Sequence, residues 1–241
     1  MTANRRLEAS IRNSGHSIDD LAVHVEVDPK TVERWIMNGR VPHRRHRESV
    51  ARFLGVPAAY IWPTAPGGMD GAVGLEGVYQ TRRELAPGAV AAMISGARDR
   101  IDILAYAATW LWDSVPDVTT KLALKAASGV AVHVCLGDPE SDAVRLRGIE
   151  EGIGTGMSAR CRIAIATATS IAGVETRLTA TTLYGSVYRF DNDLLWNPHS
   201  FGTPAADGPV LWLRSQGEQG MAATVLRSQD RVWESAQLLR G

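Results

Sequence analysis

The chain has 241 residues, enough for one large domain or two smaller ones, and its 45% hydrophobic and 22% charged content is ordinary for a soluble globular protein. Lys and Arg number 26, as do Asp and Glu. Residues 1–62 hold ten cationic against seven anionic side chains, with His16, His24, His43 and His46, so basic character is confined to the N-terminal segment. Two cysteines, Cys135 and Cys161, exclude a disulfide framework and make no metal-ligand spacing, which leaves both as buried small hydrophobes. The opening MTANRRLEASIRNSGHS lacks an apolar core of signal-peptide length, and no later run approaches a membrane span. A reducing cytoplasm is the expected compartment.

Leu7 and Ile11 predict a first helix ending near Gly15. From Ile18 to Pro42 the chain reads IDDLAVHVEVDPKTVERWIMNGRVP, with the period and punctuation of two short helices joined by a tight turn. The Ser17 hydroxyl caps the first, and Leu21 with Ala22 supplies an inward face whose small residue lets a second helix cross closely. Asp28-Pro29 starts that second helix: the aspartate accepts from free N–H groups, and proline fits the first helical position. Val32, Trp35 and Ile36 fall on its inner face, and Lys30, Thr31, Arg34 and Asn38 on the other. Asn38-Gly39 stops it. A fourth helix is predicted over 44–54, with Val50, Phe53 and Leu54 inward and Gly55 ending it. Its RRHR cluster either reaches phosphates or forms a solvated face. Tyr60, Ile61 and Trp62 close the small core.

A tight turn followed by a helix with a basic outward face is what reading DNA requires, so double-stranded DNA is the expected partner. A charge excess of three predicts weak, salt-sensitive affinity for random sequence. A helical module used for protein contacts is the alternative. The stretch resembles the helix-turn-helix of the XRE, or phage-repressor-like, family: Ala22, Val32 and Trp35 occupy its three packing positions, and WIMNGRVP is similar to its ending of tryptophan, glycine and proline. This resemblance covers the first quarter of the chain. It implies DNA contacts from Lys30, Thr31, Arg34, Asn38 and Arg40. Glu26 departs from it, standing where the turn usually has glycine; a left-handed backbone there would cost on the order of 1 kcal/mol.

Over 63–74 the sequence PTAPGGMDGAVG reads as a linker, which divides the chain into a 1–62 domain and a 75–241 domain. The second is expected to open with a helix over 87–97 and a strand over 100–107. A helix over 117–128 and a strand over 130–136, VAVHVCL, follow. Strand, helix, strand at this length implies an α/β sheet, and the Gly137-Asp138-Pro139 loop lies where such sheets place ligands. Next come helix over 141–171, bearing Arg145, Arg147, Arg160 and Arg162, and a strand over 175–179. The arginines either serve a phosphate or are helix-surface charge. A hairpin of 183–190 and 194–199 turns through Asp191-Asn192-Asp193. A strand over 209–214 and a helix over 221–239 close the chain.

The element order and hairpin resemble one half of a phospholipase D-like domain, whose hairpin carries His-x-Lys, then Asp four residues later, then Gly-Ser-x-Asn. Here Tyr184-Gly185-Ser186, Asp191 and Pro198-His199-Ser200-Phe201 superpose on those motifs, and Asp191 alone matches. A neutral phenol with a pKa near ~10 is a poor substitute for the nucleophilic imidazole, and serine brings no positive charge. The resemblance therefore implies a catalytically inactive domain that pairs with itself. Tyr184, Ser186, Tyr188, Asp191, Asn197 and His199 would line a polar cleft, open to a phosphorylated or nucleotide-like effector or serving as a dimer core. The expected whole is multidomain, an all-α helix-turn-helix domain with an α/β phospholipase D-like domain. It would act as a homodimeric transcriptional regulator that is not an enzyme, with no membrane partner, metal or cofactor. Residual phosphodiesterase or nuclease activity through His199 and Asp191 is the competing expectation.

Overall fold

The computed structural model describes residues 3–62 and 74–239, so the predicted linker, except Gly74, lies outside the described residues. The chain forms two compact units, Met1–Ala72 with Ala86–Gly96, and Val73–Leu85 with Ala97–Gly241.

The first unit is helical: α1 Arg5–Ser14, α2 Ile18–Val25, α3 Pro29–Met37, α4 Arg44–Leu54, α5 Ala58–Ile61 and α6 Pro87–Gly96. Its boundaries follow local chemistry. Ser17 and Asp20 form a capping box at α2, the hydroxyl accepting from the Asp20 N–H while the carboxylate accepts from the Ser17 N–H. Asp28 accepts from the Lys30 N–H at 2.8 Å with Pro29 at the first helical position of α3. Gly15, Gly39 and Gly55 take left-handed backbones after α1, α3 and α4. Glu26 does so as well, at φ 58°, between α2 and α3. Leu7, Leu21, Ala22, Val32, Trp35 and Val50 form the core. Phe53, expected inward, is half-buried, its ring 4.4 Å from His16 and 4.5 Å from His24. The helix over 87–96, assigned to the second domain from sequence, packs on α1 within this first unit. Its apolar residues leave it no solvent face: Ala89, Val90, Ala91, Ala92, Met93 and Ile94 are all buried.

The second unit is an eight-stranded sheet with helices. Its elements are β1 Leu75–Tyr79, β2 Arg100–Ala105, α7 Thr109–Ser114, α8 Val118–Ala127, β3 Ala131–Gly137, α9 Asp142–Glu150, α10 Gly156–Thr169 and β4 Glu175–Thr179. The hairpin β5 Gly185–Phe190 and β6 Asp193–Pro198 follows, then β7 Val210–Arg214, α11 Gly220–Ser235 and β8 Gln237–Leu238. The strand order is β1-β7-β6-β5-β2-β3-β4-β8. Only β2, β3 and β4 run parallel to one another; the remaining pairings are antiparallel.

Several predicted elements are redrawn. The single helix over 141–171 is two, because Gly152 and Gly154 take left-handed backbones between α9 and α10. The strand expected over 100–107 ends at Ala105, since Ala108 turns left-handed to begin α7. The closing helix stops at Ser235, and Gln237 and Leu238 pair with β4 instead. Both cysteines are buried, as expected, and burial pushes their thiols up to about 12. No helix among the described residues is long and apolar enough to cross a membrane.

Candidate functional site

In the first unit the site is the outer side of α3. Turning Val32, Trp35 and Ile36 inward leaves Lys30, Glu33, Arg34 and Met37 exposed at the i, i+3, i+4, i+7 spacing. Thr31 and Arg34 line a recess of about 220 Å³ with Trp35, Arg40, His43 and His46. The fold thus brings three of the five predicted contacts, Thr31, Arg34 and Arg40, to one recess. Lys30 and Asn38 stand exposed outside it. Lys30, Arg34 and Arg40 form no ion pair among the described residues, so their charges are uncommitted. The RRHR cluster divides. Arg44 pairs with Glu48, Arg47 is buried and donates to the Pro42 carbonyl, and His46 faces the recess. His43 precedes α4 without a side-chain cap, its carbonyl accepting from the His46 and Arg47 N–H groups, at the rim of the same recess. Met37 was not singled out from sequence, although the outward spacing on α3 signals it; His43 and His46 were noted only for the basic character of the segment, His46 also within the RRHR cluster.

In the second unit the polar residues of the hairpin separate into two groups. Ser186 and Tyr188 point from β5 to one side, and His199 follows β6. These three line a cavity of about 90 Å³ beyond the C-terminal end of β2, together with Arg82, Glu151 and Arg160. His199 Nδ1 lies 3.0 Å from the Leu183 carbonyl and Nε2 3.2 Å from Ser186 Oγ. A carbonyl can only accept, so Nδ1 carries the proton and Nε2 accepts from the serine hydroxyl. The Tyr106 ring stacks on the imidazole at 5.7 Å. Burial, reinforced by the Arg147 guanidinium, pulls His199 down to about 4 against the opposing hydrogen bond to Leu183. The residue is therefore neutral at pH 7.

Tyr184, Asp191 and Asn197, predicted to share this cleft, do not line it. Tyr184 is 80% exposed. Asn197 is fully buried and donates to the Pro209 carbonyl at 2.8 Å, anchoring the chain that returns to β7. Asp191 lies beyond the other end of β5, five residues or roughly 16 Å of extended chain from Ser186. Its carboxylate accepts from the backbone N–H groups of Arg98, Asp99 and Arg100, each at 2.9 Å. Its own backbone is left-handed at φ 54°. The one residue that matches the phospholipase D-like motif thus clasps the turn to the start of β2, at the opposite end of the hairpin from His199.

Of the four helix arginines weighed for phosphate contact, Arg147 is 3% exposed, pairs with Glu150 and Glu151, and donates to the carbonyls of Ser200 and Thr203. Arg145 pairs with Asp142 and Arg162 with Glu140. Arg160 alone reaches the cavity. Among the described residues no cluster of three or more His, Cys, Asp or Glu is placed to hold a metal ion.

No family model matches the chain, and no curated protein matches its sequence. Among solved structures, it is similar to TrmBL2, an archaeal chromatin protein described as showing a novel mode of DNA binding. The identity is 14% and the TM-score 0.42, over 68% of this chain and 54% of that one, so this chain spans about half of TrmBL2. It is also similar to Nuc, a phospholipase D family member from Salmonella typhimurium, at 18% identity and a TM-score of 0.41 over 64% of this chain and 91% of that one.

Proposed function

We propose that this protein is a sequence-specific, DNA-binding transcriptional regulator of the XRE type. The observation that carries the reading is the division of α3 into a buried face of Val32, Trp35 and Ile36 and a solvent face whose Lys30 and Arg34 have no ionic partner among the described residues. Uncommitted cations on a short helix behind a tight turn suit the major groove, where Arg34 can offer two donors to the O6 and N7 acceptors of guanine. Thr31, Arg40 and the uncapped start of α4 supply phosphate contacts beside it. Lys30 and Asn38 extend the same surface.

Two such headpieces joined in a homodimer read a two-fold site with far greater effective affinity than one. The second unit provides the pairing, as a phospholipase D-like half-domain that has lost its reaction. The order of strands, helices and hairpin on which that resemblance rests is present in the fold. The inactive reading is supported by the residues themselves: Ser186 stands in place of the lysine, exposed Tyr184 in place of the histidine, and Asp191 is taken up by three backbone N–H groups. One observation favours the enzymatic alternative, the Ser186–His199 hydrogen bond, which has the arrangement of a nucleophile and its base. A base whose pKa is near 4 gives that pair little driving force at neutral pH.

The test is a gel shift on DNA upstream of the protein's own gene, at two salt concentrations, with wild type and Arg34→Ala. Specific, salt-sensitive binding that the variant loses at one base position supports the reading. Equal weakening on all sequences would make Arg34 a phosphate contact, and binding no better than to random DNA at low salt would favour a protein-interaction module. Turnover of a generic phosphodiester, lost in His199→Ala, would overturn the assignment of the second unit as inactive.

A further inference from the structure

We propose that the cavity beyond β2 binds a small oxyanion, of phosphate or short-carboxylate size, through Arg82, Arg160 and Tyr188. This specifies the ligand of the second unit and rests on the expectation that its polar cleft is open to an effector. It also narrows the effector class, because a cavity of about 90 Å³ has the share of roughly three waters, whereas sites for drug-sized ligands run to about 300–1,000 Å³. A whole nucleotide would not be enclosed by it.

Three observations point to an anion. Tyr188 is 2% exposed, lines the cavity, and its buried hydroxyl has no acceptor for its proton among the described residues. Arg82 Nε, on the same cavity, is likewise buried and unpartnered. The Arg82 guanidinium opposes, by its charge and by hydrogen bonding to the phenol oxygen, the upward shift that burial imposes on Tyr188; a guanidinium can only donate, so the hydroxyl proton of Tyr188 still has no acceptor among the described residues. Both orphaned groups can donate, and leaving such donors dry and unmet is costly. Secondly, neither Arg82 nor Arg160 has a carboxylate partner among the described residues. The single acid among the lining residues, Glu151, is paired with Arg147 at 2.7 Å, a guanidinium it shares with Glu150. Thirdly, the pKa of His199, depressed first by burial, is pushed further down by the charges of Arg147 and then Arg82, cations whose field an anion in the cavity would also meet. An oxyanion would accept from Tyr188, from Arg82 and from Arg160 at the rim, and complete the pairing the protein itself leaves open.

Calorimetric titration of the full-length protein at constant ionic strength tests this, with phosphate, sulfate, acetate and AMP as probes and sodium chloride as the control. Saturable binding of phosphate and sulfate, or of acetate, is expected, the three arms separating a tetrahedral from a planar anion. Arg160→Ala removes an exposed side chain and should weaken that binding about tenfold, the loss of one charge-assisted contact. Tyr188→Phe should weaken binding too while leaving the ligand-free protein at least as stable, since it deletes a hydroxyl whose proton has no acceptor among the described residues. No oxyanion binding above the chloride control, binding unchanged in both variants, or AMP binding as tightly as phosphate would each overturn the proposal. The gel shift on the same preparation reads the DNA-binding proposal separately, so loss of one leaves the other standing.

Discussion

The α3 surface and the β2 cavity are opposite solutions to placing polar groups. On α3 the cations stand in water, where holding them unpaired costs little, and what fixes their positions is an apolar face beneath them. In the cavity the Tyr188 hydroxyl and Arg82 Nε are themselves buried, so each one left without a partner is a standing free-energy deficit. Recognition on α3 should therefore be sensitive to the scaffold and only moderately to each cation. The cavity should be sensitive to protonation and to single hydroxyl groups.

The largest effect expected from this contrast is on the scaffold of α3. Trp35 is 3% exposed, packs edge-on to Trp62 at 6.3 Å and carries the inner face of the helix. Trp35→Ala should cost about 3–5 kcal/mol by denaturant unfolding and abolish DNA binding without touching an outward residue. If binding survives at full affinity, the outer cations do not depend on the buried face. Next in size is the response of the cavity to pH. The unfolded chain takes up a proton on His199 near pH 6.5, while the folded chain resists until about 4. The folded state thus binds fewer protons in that window, and stability present above 6.5 is lost as pH falls toward 4, by about 3 kcal/mol. His199→Gln should flatten that part of the stability–pH curve. An unchanged slope would mean that the imidazole is not held neutral by burial.

The same contrast explains which parts were legible in the sequence. Asp28-Pro29 and Asn38-Gly39 fix both ends of α3 within the helix itself, and the observed Pro29–Met37 follows from them. Gly55 ends α4 in the same local way. The cavity assembles Arg82, Arg160, Tyr188 and His199 from separated elements, and no local pattern announces that they meet. Asp191 was misplaced because motif spacing records position along a strand, whereas the side chain's partners are the backbone of residues 98–100. Strands β1 and β8 were missed because one carries a bulge between Leu75 and Gly77 and the other has only two residues. Helix α6 was legible as a helix, but its unit was not, since an all-apolar helix shows no face that names its neighbour.

Smaller effects sharpen the account of α3. Arg34→Ala should lower affinity for the specific site by about 1–3 kcal/mol and relax one base position, measured by competition against single-base variants of the bound site. Fold stability should stay nearly unchanged, because the side chain is exposed and unpaired.

The smallest effect concerns the turn that aims α3. Glu26 takes φ 58° and ψ 47°, and its backbone N–H bonds back to the Ala22 and Val23 carbonyls, so the conformation is fixed by the end of α2 rather than by the side chain. A non-glycine residue is strained there by roughly 1–2 kcal/mol, whereas glycine is not, though glycine surrenders roughly 0.5–1 kcal/mol of unfolded-chain entropy. The side-chain partner lost among the described residues is Arg45, at 3.9 Å between two largely exposed groups, which is worth little. Glu26→Gly should therefore stabilise the first unit by about 0.5–1 kcal/mol while leaving DNA affinity almost unchanged. A loss of affinity instead would mean that the glutamate, by its negative charge beside Arg45, takes part in setting where the headpiece meets the phosphate backbone.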